Sequence, residues 1–98
     1  MEKYEEIRRL VRNAIIQMII EARGTCVTFT PKKIAKRARL STKPVMLSVI
    51  RHAIEELREK GVRLWNERQH GGGRIYRYIV TCDSPLWQEA KMIKEVMA

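Results

Sequence analysis

Three prolines and five glycines punctuate the chain, and their positions strongly restrict how it can be divided. Pro31, Pro44 and Pro85 each fall at the start of a helical apolar pattern, where a missing N–H costs nothing. Gly24 and Gly61 fall just past the end of such patterns, where a helix stops most easily on a residue that tolerates left-handed backbone. Gly71, Gly72 and Gly73 separate two runs rich in β-branched and aromatic residues, as the tip of a hairpin does.

The segments between these marks have clear periods. Residues 2–23 repeat Tyr4, Ile7, Val11, Ile15, Met18 and Ala22 at spacings of three and four, with Glu2, Glu5 and Glu6 at the positive end of the helix dipole. A second apolar strip, Leu10, Ile16 and Ile20, suits either burial between two neighbours or a dimer interface. Residues 25–29, "TCVTF", alternate as a strand. Thr30 then caps a short helix, residues 31–39, with Ile34, Ala35 and Ala38 inward and Leu40 plugging the turn that follows. A third helix, capped by Ser41 or Thr42, is expected to run to Lys60. Its apolar face is Leu47, Ile50, Ala53, Ile54 and Leu57, opposite Ser48, Arg51, His52, Glu55 and Glu59. Residues 62–67 and 74–82 read as two strands joined by the tip 68–73. Asp83 and Ser84 cap a last helix striped with Leu86, Trp87, Ala90, Ile93 and Met97.

A length of 98 residues allows one domain, residues 1–98, with a thin core. The class is α+β, mostly α. No apolar run approaches a membrane span, and an acidic start, "MEKYEE", is not a signal peptide, so a cytoplasmic protein is expected. Two cysteines are too few for a disulfide scaffold and lack zinc-ligand spacing. Cys26 and Cys82 fall on strands that could pair, which makes a bridge between them conceivable, with two buried free thiols as the plainer expectation. Neither a P-loop nor an HExxH or GxSxG motif occurs, so no enzyme, metal or cofactor is expected.

The order α-β-α-α-β-β-α resembles the winged helix-turn-helix superfamily. The resemblance is carried by "TPKKIAKRARLSTKPVMLSVIRHAIEELREKGVRLW", by the tip "RQHGGGR" and by the closing strand "IYRYIV". It covers residues 4–82 and departs from the usual pattern at Pro44, inside the first turn of the third helix. It implies binding of double-stranded DNA, with the third helix in the major groove and the hairpin as a wing.

Charge points the same way. The chain carries a net +9, and residues 25–82 account for all of it, with thirteen bases against four acids. Residues 2–23 and 84–97 are nearly neutral and suit packing or dimerisation, through Leu10, Ile16, Ile20, Leu86, Trp87 and Ile93. Lys32, Lys33, Lys36, Arg37, Arg39 and Lys43 crowd into twelve residues with no acid among them, which fits phosphate contact. Ser41 and Thr42 lie in the same stretch. Lys43, Ser48, Arg51 and His52 are candidates for the major groove, since arginine can read guanine with both ends of its fork. In the wing, Arg68, His70, Gly72 and Arg74 suit a minor groove or the backbone. Trp65, Tyr76 and Tyr78 could stack on bases, but their alternation along a small sheet places them in its packing.

These features lead to a homodimeric, sequence-specific DNA-binding protein that regulates transcription on the nucleoid. A non-specific chromatin-type protein and a small ribosomal RNA-binding protein are the alternatives. The latter usually carry a long Lys-rich tail, which is not seen here.

Overall fold

The first helix, α1 (Tyr4–Glu21), is buried over most of its circumference. Ile7, Val11, Ala14, Ile15, Ile16, Met18 and Ile19 are all shielded from solvent. A helix with one neighbour would bury a single stripe. In the computed structural model α1 instead packs against both α3 (Pro44–Glu56) and α4 (Pro85–Met97), and touches α2 (Pro31–Arg37) and β1 (Cys26–Phe29) as well. The structure describes residues 4–70 and 73–97, and the side chains of all of these except 66–70 and 73–75.

This arrangement corrects the expected dimer interface. Ile16, Leu86 and Trp87 lie in the core of a single chain, and Ile20 and Ile93 are half-buried against it. Leu10 is half-buried too. Packing of α1 between α3 and α4 within the chain accounts for the burial of Ile16 without a second copy. Met97, expected on the inner stripe of α4, is exposed, together with Met92 and Val96.

Among the described residues there are four α-helices and three antiparallel strands, an α+β architecture that is mostly helical. The strands are β1, β2 (Arg63–His70) and β3 (Gly73–Thr81), in the order β1-β3-β2. Val27 opposes Val80 and Phe29 opposes Tyr78 on the inner face. Phe29, Tyr78 and Val80 are fully buried there, beneath the helices. Arg77 and Ile79 alternate with these and point outward.

Local chemistry sets the helix boundaries. Thr30 Oγ1 accepts a hydrogen bond from the Lys33 backbone N–H at 3.2 Å, and Pro31 opens α2. The helix ends sooner than its charge pattern suggested, at Arg37. Arg39 takes a left-handed φ of 59°, and Leu40 N–H reaches back to Ala35 C=O at 2.8 Å. Together these close the last turn with a reversal usually given to glycine.

Neither Ser41 nor Thr42 caps α3. A residue before proline is driven to extended backbone, and Lys43, with φ −69° and ψ 153°, therefore becomes the cap residue. Ser41 Oγ instead accepts from Lys43 N–H at 3.1 Å and tightens the approach. At its other end α3 stops at Glu56 and passes into a single 3-10 turn, Leu57–Lys60, before Gly61. Gly24 does not have the left-handed conformation expected of it, because α1 ends earlier, on Ala22 N–H bonding Ile19 C=O.

The hairpin also differs from expectation. His70 pairs with Gly73, so the first strand runs further than its composition implied, while the second is displaced by one residue toward the tip. Arg68 pairs with Ile75 and Gln69 with Arg74, inside the ladder rather than in a loop.

The thiols are corrected as well. Cys26 and Cys82 are free and exposed, neither bridged nor buried. Cys26 opposes Thr81, while Cys82 N–H bonds Thr25 C=O. This register sends the two thiols to opposite faces of the sheet, where they cannot meet.

Candidate nucleic-acid interface

α2, the turn after it and the cap residue of α3 present a run of basic and hydroxyl side chains. Lys32, Lys33, Lys36, Arg37, Arg39, Ser41, Thr42 and Lys43 are all exposed. Arg37 differs from the rest of the expected phosphate-binding group in having a carboxylate partner. Its guanidinium grips Glu21 at the end of α1 through two bonds of 3.1 and 3.2 Å, and this fork holds the Glu21 carboxyl below its usual pKa. Arg37 therefore ties α2 to α1. Among the described residues, Lys32, Lys33, Lys36, Arg39 and Lys43 have no carboxylate within ion-pair distance.

Several of the described carboxylates pair with cations of other surfaces. Glu56 meets Arg8 at 3.4 Å, Glu89 bonds both Arg12 and Lys60, and Glu55 meets Arg58 at 3.1 Å. The structure thus separates its charges by surface. Helices α1 and α4 are laced by ion pairs, whereas the start of α2 and the α2–α3 turn keep bare cations.

Beside this surface lies an open groove of about 550 Å3, lined by Thr30, Pro31, Lys32, Leu47, Ser48, Arg51 and Tyr76. Pro31, Leu47 and Tyr76 supply an apolar lining, while Lys32, Ser48 and Arg51 supply donors. The Arg51 guanidinium lies over the Tyr76 ring at 4.6 Å from its centroid. Stacking on an aromatic face leaves the edge of the guanidinium free to bond, so the contact orients the fork without consuming it.

One turn further along, Glu55 accepts a 2.6 Å hydrogen bond from the buried Tyr78 hydroxyl. This bond locks α3 to β3. Burial raises the Glu55 pKa, but the bonds from Tyr78 and Arg58 and the charges of Arg58 and Arg51 outweigh it, and the net direction is down. The Tyr78 hydroxyl is pushed well up, by burial first and then by its bond to Glu55.

A lowered carboxylate contributes stability above its ordinary value of 4.5, and this is lost as pH falls through the folded value. A raised tyrosine contributes stability below its ordinary value of 10.0, and this is lost as pH rises through the folded value. Tyr78→Phe is therefore expected to destabilise the protein at neutral pH, with the gap from wild type narrowing in acid and again in strong alkali. Melting temperatures measured across pH check this, and a constant gap contradicts it.

His52 is not part of the groove. Its Nε2 lies 3.5 Å from Glu56, and its ring is 5.6 Å from that of Tyr4. The Tyr4 hydroxyl donates to Glu56. Its pKa is pushed up to about 12 by burial, by that bond and by the Glu56 charge, against the opposing charge of Arg8. His52 thus joins a clasp between α1 and α3 and does not line the groove, although it lies one turn after Ser48 on the same helix.

In the hairpin, Gly72 lies outside the described residues, as do the side chains of Arg68, His70 and Arg74. Two aromatic residues weighed as base-stacking groups and then placed in the sheet's packing take other positions. Tyr76 was expected to be ordinary sheet packing, and no local signal could pair it with Arg51, which comes from another element. Trp65 was also assigned to packing, yet it is 56% exposed. Among the described residues, no group of histidine, cysteine, aspartate and glutamate could hold a metal ion, and no helix is long and apolar enough to cross a membrane.

Comparison with known proteins yields no match to a family model, to a curated protein or to a solved structure.

Proposed function

We propose that the chain is a winged helix-turn-helix domain that binds double-stranded DNA, and that it regulates transcription on the nucleoid rather than catalysing a reaction. The observation that carries this reading is the set of bare cations at Lys32, Lys33, Lys36, Arg39 and Lys43 beside a groove that holds Ser48 and Arg51. Clustered charges without partners repel one another, and a polyanion relieves that repulsion while releasing its own counterions. The element order and the sheet order β1-β3-β2 support the fold assignment. Arg51, oriented by Tyr76, is the side chain best placed to read a base.

The reading includes a homodimer, which would set two such surfaces about one helical turn apart on a palindromic site. Ile16, Leu86 and Trp87 are buried within one chain and would take no part in its interface. Met92, Val96 and Met97 on α4 are the exposed apolar side chains available to it.

Selection from a random duplex pool, with a structured RNA as competitor, tests the function. An enriched duplex motif is expected, with two half-sites if the protein is a dimer. Enrichment of nothing would leave a non-specific chromatin-type protein, and displacement by the RNA would favour the ribosomal alternative. Sedimentation showing a monomer both with and without the selected duplex rules out the dimer. On the selected site, Arg51→Ala is expected to cost about 1–3 kcal/mol and to relax preference at one position. Equal loss on every duplex would show that Arg51 touches only phosphate.

A further inference from the structure

The outer face of the sheet presents an aromatic ring with nothing stacked on it. The chain has six aromatic residues. Tyr4 packs beside His52 and beneath Arg8, Phe29 stacks on Tyr78, Tyr76 lies under Arg51, and Trp87 lies under Lys91. Trp65 alone has neither an aromatic nor a cationic partner among the described residues. It is 56% exposed, whereas Trp87 is 3% exposed.

The backbone fixes where this ring points. The β2–β3 register slips between Leu64 and Asn66, so Trp65 is the extra residue of a β-bulge. Bulges bend a strand and re-aim its side chains. Leu64 opposes the buried Tyr78, and Asn66 opposes the exposed Arg77. Trp65 is thereby set on the outer side with Arg77, away from Tyr76 and the groove. Arg63, two residues earlier, is also exposed. Neither Arg63 nor Arg77 forms an ion pair among the described residues, although Asp83 senses the charge of Arg63. β2 is an edge strand, so a chain running along this face meets no further strand.

An open indole flanked by two bare guanidinium groups on a sheet is the chemistry that takes an unpaired base with its phosphates. We propose that this outer face binds single-stranded nucleic acid, with a base stacked on Trp65 and the adjoining phosphates held by Arg63 and Arg77. The site is separate from the α2–α3 surface and stands or falls independently of the duplex reading. A protein surface without positive charge would not call for both arginines, and a duplex would not offer the face of a base.

The test uses an oligothymidylate of about twelve nucleotides, within the range one such platform engages. In the full chain carrying Trp87→Phe, Trp65 is the sole indole, and its emission is expected to be quenched as the oligonucleotide saturates. In chains that keep Trp87, anisotropy of the labelled oligonucleotide reads affinity. Trp65→Ala is expected to weaken binding roughly 5- to 150-fold, the equivalent of one base–aromatic stack, and Trp65→Phe to recover most of it. An abasic oligomer of the same length should bind wild type and Trp65→Ala alike. Binding of the duplex selected above should not change in Trp65→Ala. The proposal is overturned if Trp65→Ala binds the oligothymidylate as tightly as wild type, or if it loses the abasic oligomer equally. It is also overturned if Trp65 emission shifts to the blue with rising protein concentration and ignores the oligonucleotide, which would assign the face to a second copy of the chain.

Discussion

Gly61→Ala is expected to lower the unfolding free energy by roughly 2–5 kcal/mol, the combined scale of a strained left-handed residue and an overpacked contact. Gly61 has a φ of 99°, a conformation that a side chain disfavours. A β-carbon there would lie 2.4 Å from Ser84 Cβ and 3.2 Å from both Ser84 Cα and Pro85 Cδ. Ser84 has little freedom to yield. It is buried, its Oγ accepts from Trp87 N–H at 3.2 Å, and its backbone N–H bonds Thr81 C=O at 3.0 Å. Moving it would shift the start of α4, which carries Leu86 and Trp87 into the core. In a domain of this size each lost kcal/mol lowers Tm by about 4–8 °C, so a thermal melt resolves the effect easily. Gly24→Ala is the control. Nothing lies within 4 Å of a β-carbon at Gly24 and its φ is not left-handed, so its melting point should stay near wild type. If the two variants melt together, the close approach of Gly61 to Ser84 is not what holds α4 in place.

The same pair of glycines shows what could be read from sequence. Both follow an apolar helical pattern, and both looked like helix stops. Only Gly61 has the left-handed backbone, because the 3-10 turn Leu57–Lys60 must reverse sharply into β2. At the end of α2 that reversal falls on Arg39, a residue no propensity would choose. Here Leu40 N–H bonding Ala35 C=O closes the helix end and supports the reversed turn, which composition alone does not show. The order of helices and strands was legible, since it depends on period and punctuation. Two kinds of fact were not. Pairing across elements decides that Arg37 belongs to Glu21, and His52 to Glu56 and Tyr4. Sheet register decides that Cys26 and Cys82 turn apart and that Trp65 bulges outward. One-residue shifts of this kind leave composition and alternation almost untouched, yet they reverse the face a side chain occupies.

Replacing Lys32, Lys33 and Lys36 together by alanine is expected to weaken duplex binding about a hundredfold near physiological salt, taking roughly 0.9 released counterion per phosphate contact. The arithmetic follows from the surface. All three lysines are exposed on α2 and none has a carboxylate partner among the described residues, so removing them breaks no described ion pair. What they give up is counterion release from the DNA, and the slope of log K against log salt should therefore flatten by about 2.7. Loss on this account is uniform across duplexes, because phosphates carry no sequence. Arg37→Ala provides the contrast. Its guanidinium is held by Glu21 at 3.1 Å, so removing it should change the salt slope little and act instead through the α1–α2 contact. Arg37 and the three lysines share one charge run in the sequence, and only their partners in the fold distinguish them. If Arg37→Ala flattens the slope as much per residue as the lysines do, its ion pair opens on DNA and the whole run acts as one. If the triple variant keeps both affinity and slope, the polyanion does not lie on α2, and the duplex reading loses its principal support.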